Sequence, residues 1–237
     1  MISHCQYGFK AKSFTELAVL YLTQHVANRI ESKNFTLGVF IDLSKAFDSL
    51  DHNILLNKLF HYGVRGIALE WCRSYLTGSH PYVRVIETDS TPIETTKGVP
   101  QGSILGPLFF NIFLNDITNA STDLKYILYA DDTTLLHSNN NINVLVSKMN
   151  TELDKVANWF LANRLIINVK KTCSILFGPK ILTNKITFDL FINNIIINRV
   201  PSTKFLGVMI SSNLSWLEHI TYKSNPHIPS PKLNTPN

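Results

Sequence analysis

Two aspartates stand side by side in the stretch KYILYADDTTLLHS, at positions 131 and 132. Apolar residues with strand spacing flank them on both sides, so Asp131 and Asp132 belong to the turn of a hairpin. A third carboxylate, Asp42, closes another apolar run, VFIDLSKAFD. Two unpaired carboxylates ~4 Å apart repel by roughly 4 kcal/mol at an effective dielectric near 20, and a third makes the cluster worse unless a cation joins it. A pair of divalent ions held by such a cluster does one kind of work well. One ion activates a hydroxyl nucleophile and the other steadies the leaving phosphate oxygens. Mg²⁺ suits this work because it takes few carboxylates and keeps room for substrate phosphates. Each acid also has a plainer use. Asp42 or Ser44 can cap a following helix, and a solvated DD turn is ordinary hairpin chemistry. Spacing alone leaves these uses open.

The elements that must position the acids are legible in outline. Ser13 and Glu16 have capping-box spacing, and Phe14, Leu17, Ala18 and Tyr21 continue as a helix to about Arg29. FTLGVFIDL (Phe35–Leu43) is a strand apolar enough to be buried on both faces. HNILLNKLFHYG is a short helix stopped by Gly63. YVRVIE and the segment around Ile93 form a strand pair. SILGPLFFNIFLNDI is an apolar helix opened near Ser103, with Phe109, Phe110 and Phe113 assigned to the core. Ile142, Leu145, Val146, Met149, Leu153, Val156 and Phe160 mark a long amphipathic helix. RLIINV and SILF are strands around the turn KKT. FDLFINNIIIN is a hairpin turning at Asn193-Asn194, and KFLGVMI is a last strand. The sequence predicts an α+β domain built on an antiparallel sheet with helices on one face. The final stretch, SNPHIPSPKLNTPN, is rich in proline and is expected to be disordered.

The 237 residues, 45% hydrophobic, are enough for one full-size core or two small ones. The net charge of +5 fits a polyanionic partner but is modest. Cys5, Cys72 and Cys173 are odd in number and include no CxxC pair, which argues against a zinc site or a disulfide framework. No stretch approaches the ~18 apolar residues of a membrane span. A soluble intracellular protein is the expectation, with nucleus or cytoplasm unresolved.

The segments QYGF (6–9), FIDLSKAFDSLDH (40–52), GVPQGSILGPLFFNIFLNDI (98–117), YADD (129–132), NVKKT (168–172) and FLGV (205–208) follow one another in the order found in reverse transcriptases. The sequence resembles those of non-LTR retrotransposons of the jockey and LINE type, from Gln6 to about Ile220. The resemblance implies a right-hand polymerase palm with partial fingers. Residues 1–34 would be partial fingers. Residues 35–212 would be palm with a fingers insertion at about 50–102, and 213–237 the start of a thumb and a tail. It implies that Asp42, Asp131 and Asp132 bind two Mg²⁺ ions, with Mn²⁺ as a substitute, and that the Leu43 carbonyl adds a ligand. Phe47 would lie beneath the incoming sugar and exclude a 2′-hydroxyl. Gln101, Gly102, Tyr129 and Ala130 would line the nucleotide pocket, Lys171 would sit near the pyrophosphate as a proton donor, and Phe205, Leu206 and Gly207 would form the primer-grip strand. The partners implied are an RNA template, a DNA primer and a dNTP.

The pattern has departures. Lys10 stands where arginine is usual, Phe14 replaces a serine, and Ser79 and Pro81 occupy an R-x-Q pattern. Little precedes QYGF, and the proline-rich tail stands where helical thumb sequence is expected. The expectation is a chain truncated at both ends relative to a larger element protein carrying further fingers, thumb and endonuclease segments, and extending a primer poorly in isolation. Two other classes stay open: a non-catalytic nucleic-acid-binding remnant, and a nucleotidyl cyclase, which also uses paired aspartates.

Overall fold

The computed structural model describes residues 2–77, 84–85, 88–89, 96–100, 102–179, 183 and 186–224. In chain order the elements are helix α1 (Thr15–Glu31), strand β1 (Phe35–Ile41), helices α2 (His52–His61) and α3 (Ile67–Thr77), and the short strands β2 (Arg84–Val85) and β3 (Thr88–Asp89). Helix α4 (Leu105–Leu114), the hairpin β4 (Lys125–Tyr129) and β5 (Asp132–Asn139), helix α5 (Ile142–Ala162) and strand β6 (Cys173–Phe177) follow. The chain goes on through β7 (Phe191–Ile192), β8 (Ile195–Ile196), β9 (Asn198–Arg199), β10 (Ser202–Phe205), β11 (Val208–Ser211) and α6 (Leu217–Ser224).

The main sheet has the order β4-β5-β1-β6-β9. Its first four strands are antiparallel, and β9 joins β6 in parallel through Cys173↔Asn198 and Ser174↔Arg199. β1 is central, which is why its sequence is apolar on both faces. Alternation along the strands divides the core in two. Leu37, Val39, Ile41, Leu128, Leu135 and Leu176 face the helices α2, α4 and α5, with Phe109, Phe110 and Phe113 buried among them. Ile127, Leu136, Ile175 and Phe177 face the other way, onto Ala18, Val19, Leu22 and Val26 of α1 and onto Phe205 and Ile210 of the β10–β11 hairpin. The expected antiparallel core is present, and helices cover both faces rather than one.

Several local expectations are corrected. The Ser13 capping box does not form: Phe14 takes the N-cap position of α1 with no side-chain bond. RLIINV is not a strand: its β pairing among the described residues is the single bridge Leu43↔Ile167, with no ladder. KFLGVMI is two strands, because Leu206 (φ +47°) and Gly207 (φ +85°) turn the chain back. Helix α3 was not expected; only Cys72 and Leu76 are buried along it, so it carries a weak apolar stripe. β2 lies within YVRVIE as expected, but its partner is Thr88–Asp89; Ile93, around which the partner was expected, and the proline-rich tail fall outside the described residues. The Asn193-Asn194 turn is as expected, with both residues at positive φ as a two-residue hairpin loop requires.

Candidate active site

Strand β1 delivers the first acid and the β4–β5 hairpin delivers the other two. Tyr129 pairs with Asp132 at the end of the hairpin, so Ala130 and Asp131 form its two-residue loop. Ala130 has φ +54°, the left-handed value that the first position of such a loop demands and that glycine usually supplies. In the neighbouring ladder Ile41 is opposite Thr133, so one further step brings Asp42 beside Asp132. All three acids therefore lie at one end of the sheet.

The electrostatics report the crowding. The Asp132 carboxyl is pushed up to about 6, first by partial desolvation and then by the negative charges of Asp131 and Asp42. Its side chain keeps solvent access, and Asp42 and Asp131 are half-buried. Three carboxylates and a main-chain carbonyl are a hard-oxygen donor set of the kind Mg²⁺ takes. Among the described residues, however, no three His, Cys, Asp or Glu side chains gather closely enough to hold an ion as placed. The acids are within electrostatic reach of one another without forming a closed ligand cage.

Asp42 is fixed by its backbone. Its carbonyl accepts from Asn168 N at 2.8 Å, and its N–H donates to Thr172 Oγ1 at 3.2 Å. Ser44 N donates to Ile166 O at 2.9 Å. Since these bonds use the groups on either side of Leu43, the Leu43 carbonyl is directed away from Ile167. The segment 168–172 is a tight turn in which Thr172 N and Lys171 N both donate to Asn168 O. Lys171 is exposed on it. The alternative use of Asp42 or Ser44 as a cap fails: the next helix, α2, begins at His52, and its cap is Asp51, which accepts from Asn53 N and Ile54 N.

A second strap approaches from the loop before α4. Gly98 N donates to Leu50 O at 2.8 Å and Val99 N to Phe47 O at 3.1 Å. The His52 ring donates through Nε2 to Gly98 O at 2.7 Å. Gly98 has φ +83°, and a Cβ there would lie 3.0 Å from the Asp48 carbonyl oxygen, so the close approach requires glycine. Gly102 has φ +76° and open space around it, while Gln101 lies outside the described residues. Phe47 is half-buried, stacked on Phe110, with Phe9 edge-on to it. Phe205 is buried against Phe40, and Leu206 and Gly207 form the turn after it, so this trio is a strand end and its turn rather than a strand. Asn168, Thr172 and His52 were not singled out from sequence in these roles; each acts through a contact distant in the chain.

The reverse transcriptase (RNA-dependent DNA polymerase) family matches residues 1–210. The chain is 32% identical over 228 residues to a probable RNA-directed DNA polymerase from transposon BS of Drosophila melanogaster, covering 91% of this chain and 24% of that protein. It is 26% identical over 223 residues to the RNA-directed DNA polymerase from mobile element jockey of the same fly, with the same coverage. Among solved structures, a telomerase from Candida tropicalis in complex with a telomeric RNA fragment superposes with a TM-score of 0.61 at 14% identity, over 98% of this chain and 36% of that one. The chain thus spans about a quarter of the length of the curated relatives it matches. With residues 1–210 matched and the palm sheet in place, the chain belongs to the reverse transcriptase (RNA-dependent DNA polymerase) family.

Proposed function

We propose that this chain is the palm, with part of the fingers, of an RNA-directed DNA polymerase. It joins a dNTP to a primer 3′-hydroxyl on an RNA template. The observation that carries the reading is the placement of Asp42 beside Asp131 and Asp132, registered in the raised titration of Asp132. Reverse transcriptases work with divalent metal ions. Asp42, Asp131, Asp132 and the Leu43 carbonyl are the groups we assign to two Mg²⁺ ions, for which Mn²⁺ would substitute. When bound, the ions supply charge neutralisation at the transferring phosphate and lower the pKa of the attacking hydroxyl.

The protein's own contribution is positioning. The Asn168 N–H, which donates to the Asp42 carbonyl, and the Thr172 hydroxyl, which accepts from the Asp42 N–H, hold Asp42 at the sheet end. Phe47, steadied by Phe110, is the residue we assign to the sugar, where it would disfavour a 2′-hydroxyl. Gln101, Gly102, Tyr129 and Ala130 line the nucleotide pocket in this reading. Lys171, exposed on its turn, is assigned to the pyrophosphate. Phe205–Gly207 would support the primer end. The domain limits that go with this are fingers to 34, palm over 35–212 with an insertion at about 50–102, and a thumb start from 213.

The second reading, a nucleic-acid-binding remnant without catalysis, is favoured by one observation: the three acids do not close into a metal-holding group among the described residues. RNA-templated primer extension with Mg²⁺, with Asp131→Asn as the blank, separates the two. Incorporation that vanishes in the variant supports the polymerase. Nucleic-acid binding without incorporation, indifferent to the substitution, supports the remnant.

A further inference from the structure

The segment Gln6-Tyr7-Gly8 reaches the loop that carries Asp131 from far away in sequence. Its backbone joins β4 as a short parallel edge: Leu128 N donates to Cys5 O at 2.9 Å and Tyr7 N to Leu128 O at 2.8 Å. The Gln6 side chain is 2% exposed. Its Oε1 accepts from Ala130 N at 3.2 Å and from Gly8 N at 2.8 Å. Gly8 lies flat against the loop; a Cβ there would fall 2.4 Å from Ala130 N and 3.0 Å from the Tyr129 carbonyl carbon. Asn111, on α4 and 1% exposed, donates through Nδ2 to Gly8 O at 2.8 Å.

We propose that Gln6, Gly8 and Asn111 are positioning residues for the catalytic loop: they hold Ala130 in its left-handed conformation and so aim Asp131. This rests on the reading of Asp131 as a metal-binding acid. Three features make the clamp more than general packing. Ala130 N belongs to a loop residue outside the paired strand residues, and Gln6 Oε1 is the acceptor that receives it. Alanine at φ +54° is strained relative to glycine, so a contact that fixes its N–H supports the conformation. The remaining polar atoms, Gln6 Nε2 and Asn111 Oδ1, are buried and find no partner among the described residues. Buried unpaired polar atoms are costly, so an apolar side chain would serve better at both positions if filling space were their only duty.

The test reads the loop directly and the activity separately. Gln6→Met keeps the side-chain length and removes the acceptor; Asn111→Leu keeps the volume and removes the donor to Gly8. Amide hydrogen exchange at Ala130, followed by NMR in the full chain, is expected to speed up at least tenfold in Gln6→Met and severalfold in Asn111→Leu. The amides of Thr134 and Leu135, deep in β5, should be unchanged. If Gln6→Met does not fold, Asn111→Leu alone decides. An Ala130 amide that exchanges at the wild-type rate in a folded variant overturns the clamp. In primer extension, kcat should fall about 10- to 100-fold; a kcat within twofold of wild type overturns the aiming role. Faster exchange at Ala130 combined with a wild-type chain that incorporates no nucleotide would leave the clamp standing and refute the polymerase reading instead.

Discussion

Phe47 and Phe110 stack with ring centroids 4.5 Å apart and planes 26° from parallel. Phe110 is fully buried and Phe47 half-buried, so the Phe47 ring is anchored on the core by this stack and flanked edge-on by Phe9 at 6.5 Å. A discriminating wall needs this construction, because a ring free to rotate would yield to an extra hydroxyl. Phe47→Ala is therefore expected to raise ribonucleotide relative to deoxyribonucleotide incorporation. It should also lower stability by roughly 1–3 kcal/mol through the lost stacking and the cavity left behind. Primer extension with matched rNTP and dNTP, alongside a denaturant titration, checks both. An unchanged incorporation ratio would remove Phe47 from the gate.

Asp51 joins the start of α2 to the segment after α5. It accepts from Asn53 N and Ile54 N at 3.0 and 3.1 Å and pairs with Arg164 Nη1 at 2.7 Å. Asp51 is 3% exposed. Replacing it with alanine uncaps the helix and leaves Arg164 without this partner, an expected loss of about 1–3 kcal/mol. Asp51→Asn retains the cap and loses the charge, so it should recover about half of that. Urea unfolding midpoints of the two variants give the comparison.

Glu152 on α5 has no exposed side-chain surface and is bridged by Lys148 and Lys155. Burial works against its ionised form, but hydrogen bonds from Lys155, Ser121 and Lys148 together outweigh it and hold the carboxyl down to about 2, against an ordinary 4.5. Between these values the unfolded chain binds a proton that the folded chain does not, so stability rises with pH there. The contribution is complete above pH 4.5 and is lost as pH falls towards 2. Both lysines are 40% or more exposed, which screens the effect, so about 1–2 kcal/mol is expected. Urea midpoints measured from pH 3 to 6 should show the slope, and Glu152→Gln should flatten it.

His52 ties the loop before α4 to the segment that carries Phe47. His52→Ala removes a buried hydrogen bond to Gly98 O and should cost ~1–3 kcal/mol. Because Val99 N bonds to Phe47 O in the same strap, the variant should also weaken sugar discrimination, in the same direction as Phe47→Ala but less. Thermal unfolding and the incorporation ratio measure the two effects. An unaltered ratio with lowered stability would confine His52 to the fold.

Legibility from sequence followed the range of the forces involved. β1, α2, α4, α5 and the β4–β5 hairpin were readable because their apolar periodicity is strong and local. The turn at Leu206-Gly207 was not, because leucine at positive φ has no propensity signal and only the β10–β11 pairing imposes it. RLIINV has the composition of a strand, yet its neighbour in space is the loop after β1, which gives it one bridge and no ladder. The acids could be named from two segments and their company from the order of six, whereas the groups that hold them could not. Gln6 meets Ala130 across 124 positions and Asn111 meets Gly8 across 103, contacts that no local pattern encodes.

The central place of β1 also sets a timetable. Thr36 meets Ser138 across 102 positions, and on the other edge it pairs with Phe177, later still. As the chain leaves the ribosome, its central apolar strand must therefore wait with both edges open while the segments that will cover them are still being made. Distant pairings of this kind fold slowly, and an unpaired apolar strand is a template for other chains. The arrangement that gathers the acids at one end of the sheet thus makes the newborn protein dependent on slow, late closure, and gives holding chaperones a defined segment, Phe35–Ile41, to shield until β5 and β6 arrive.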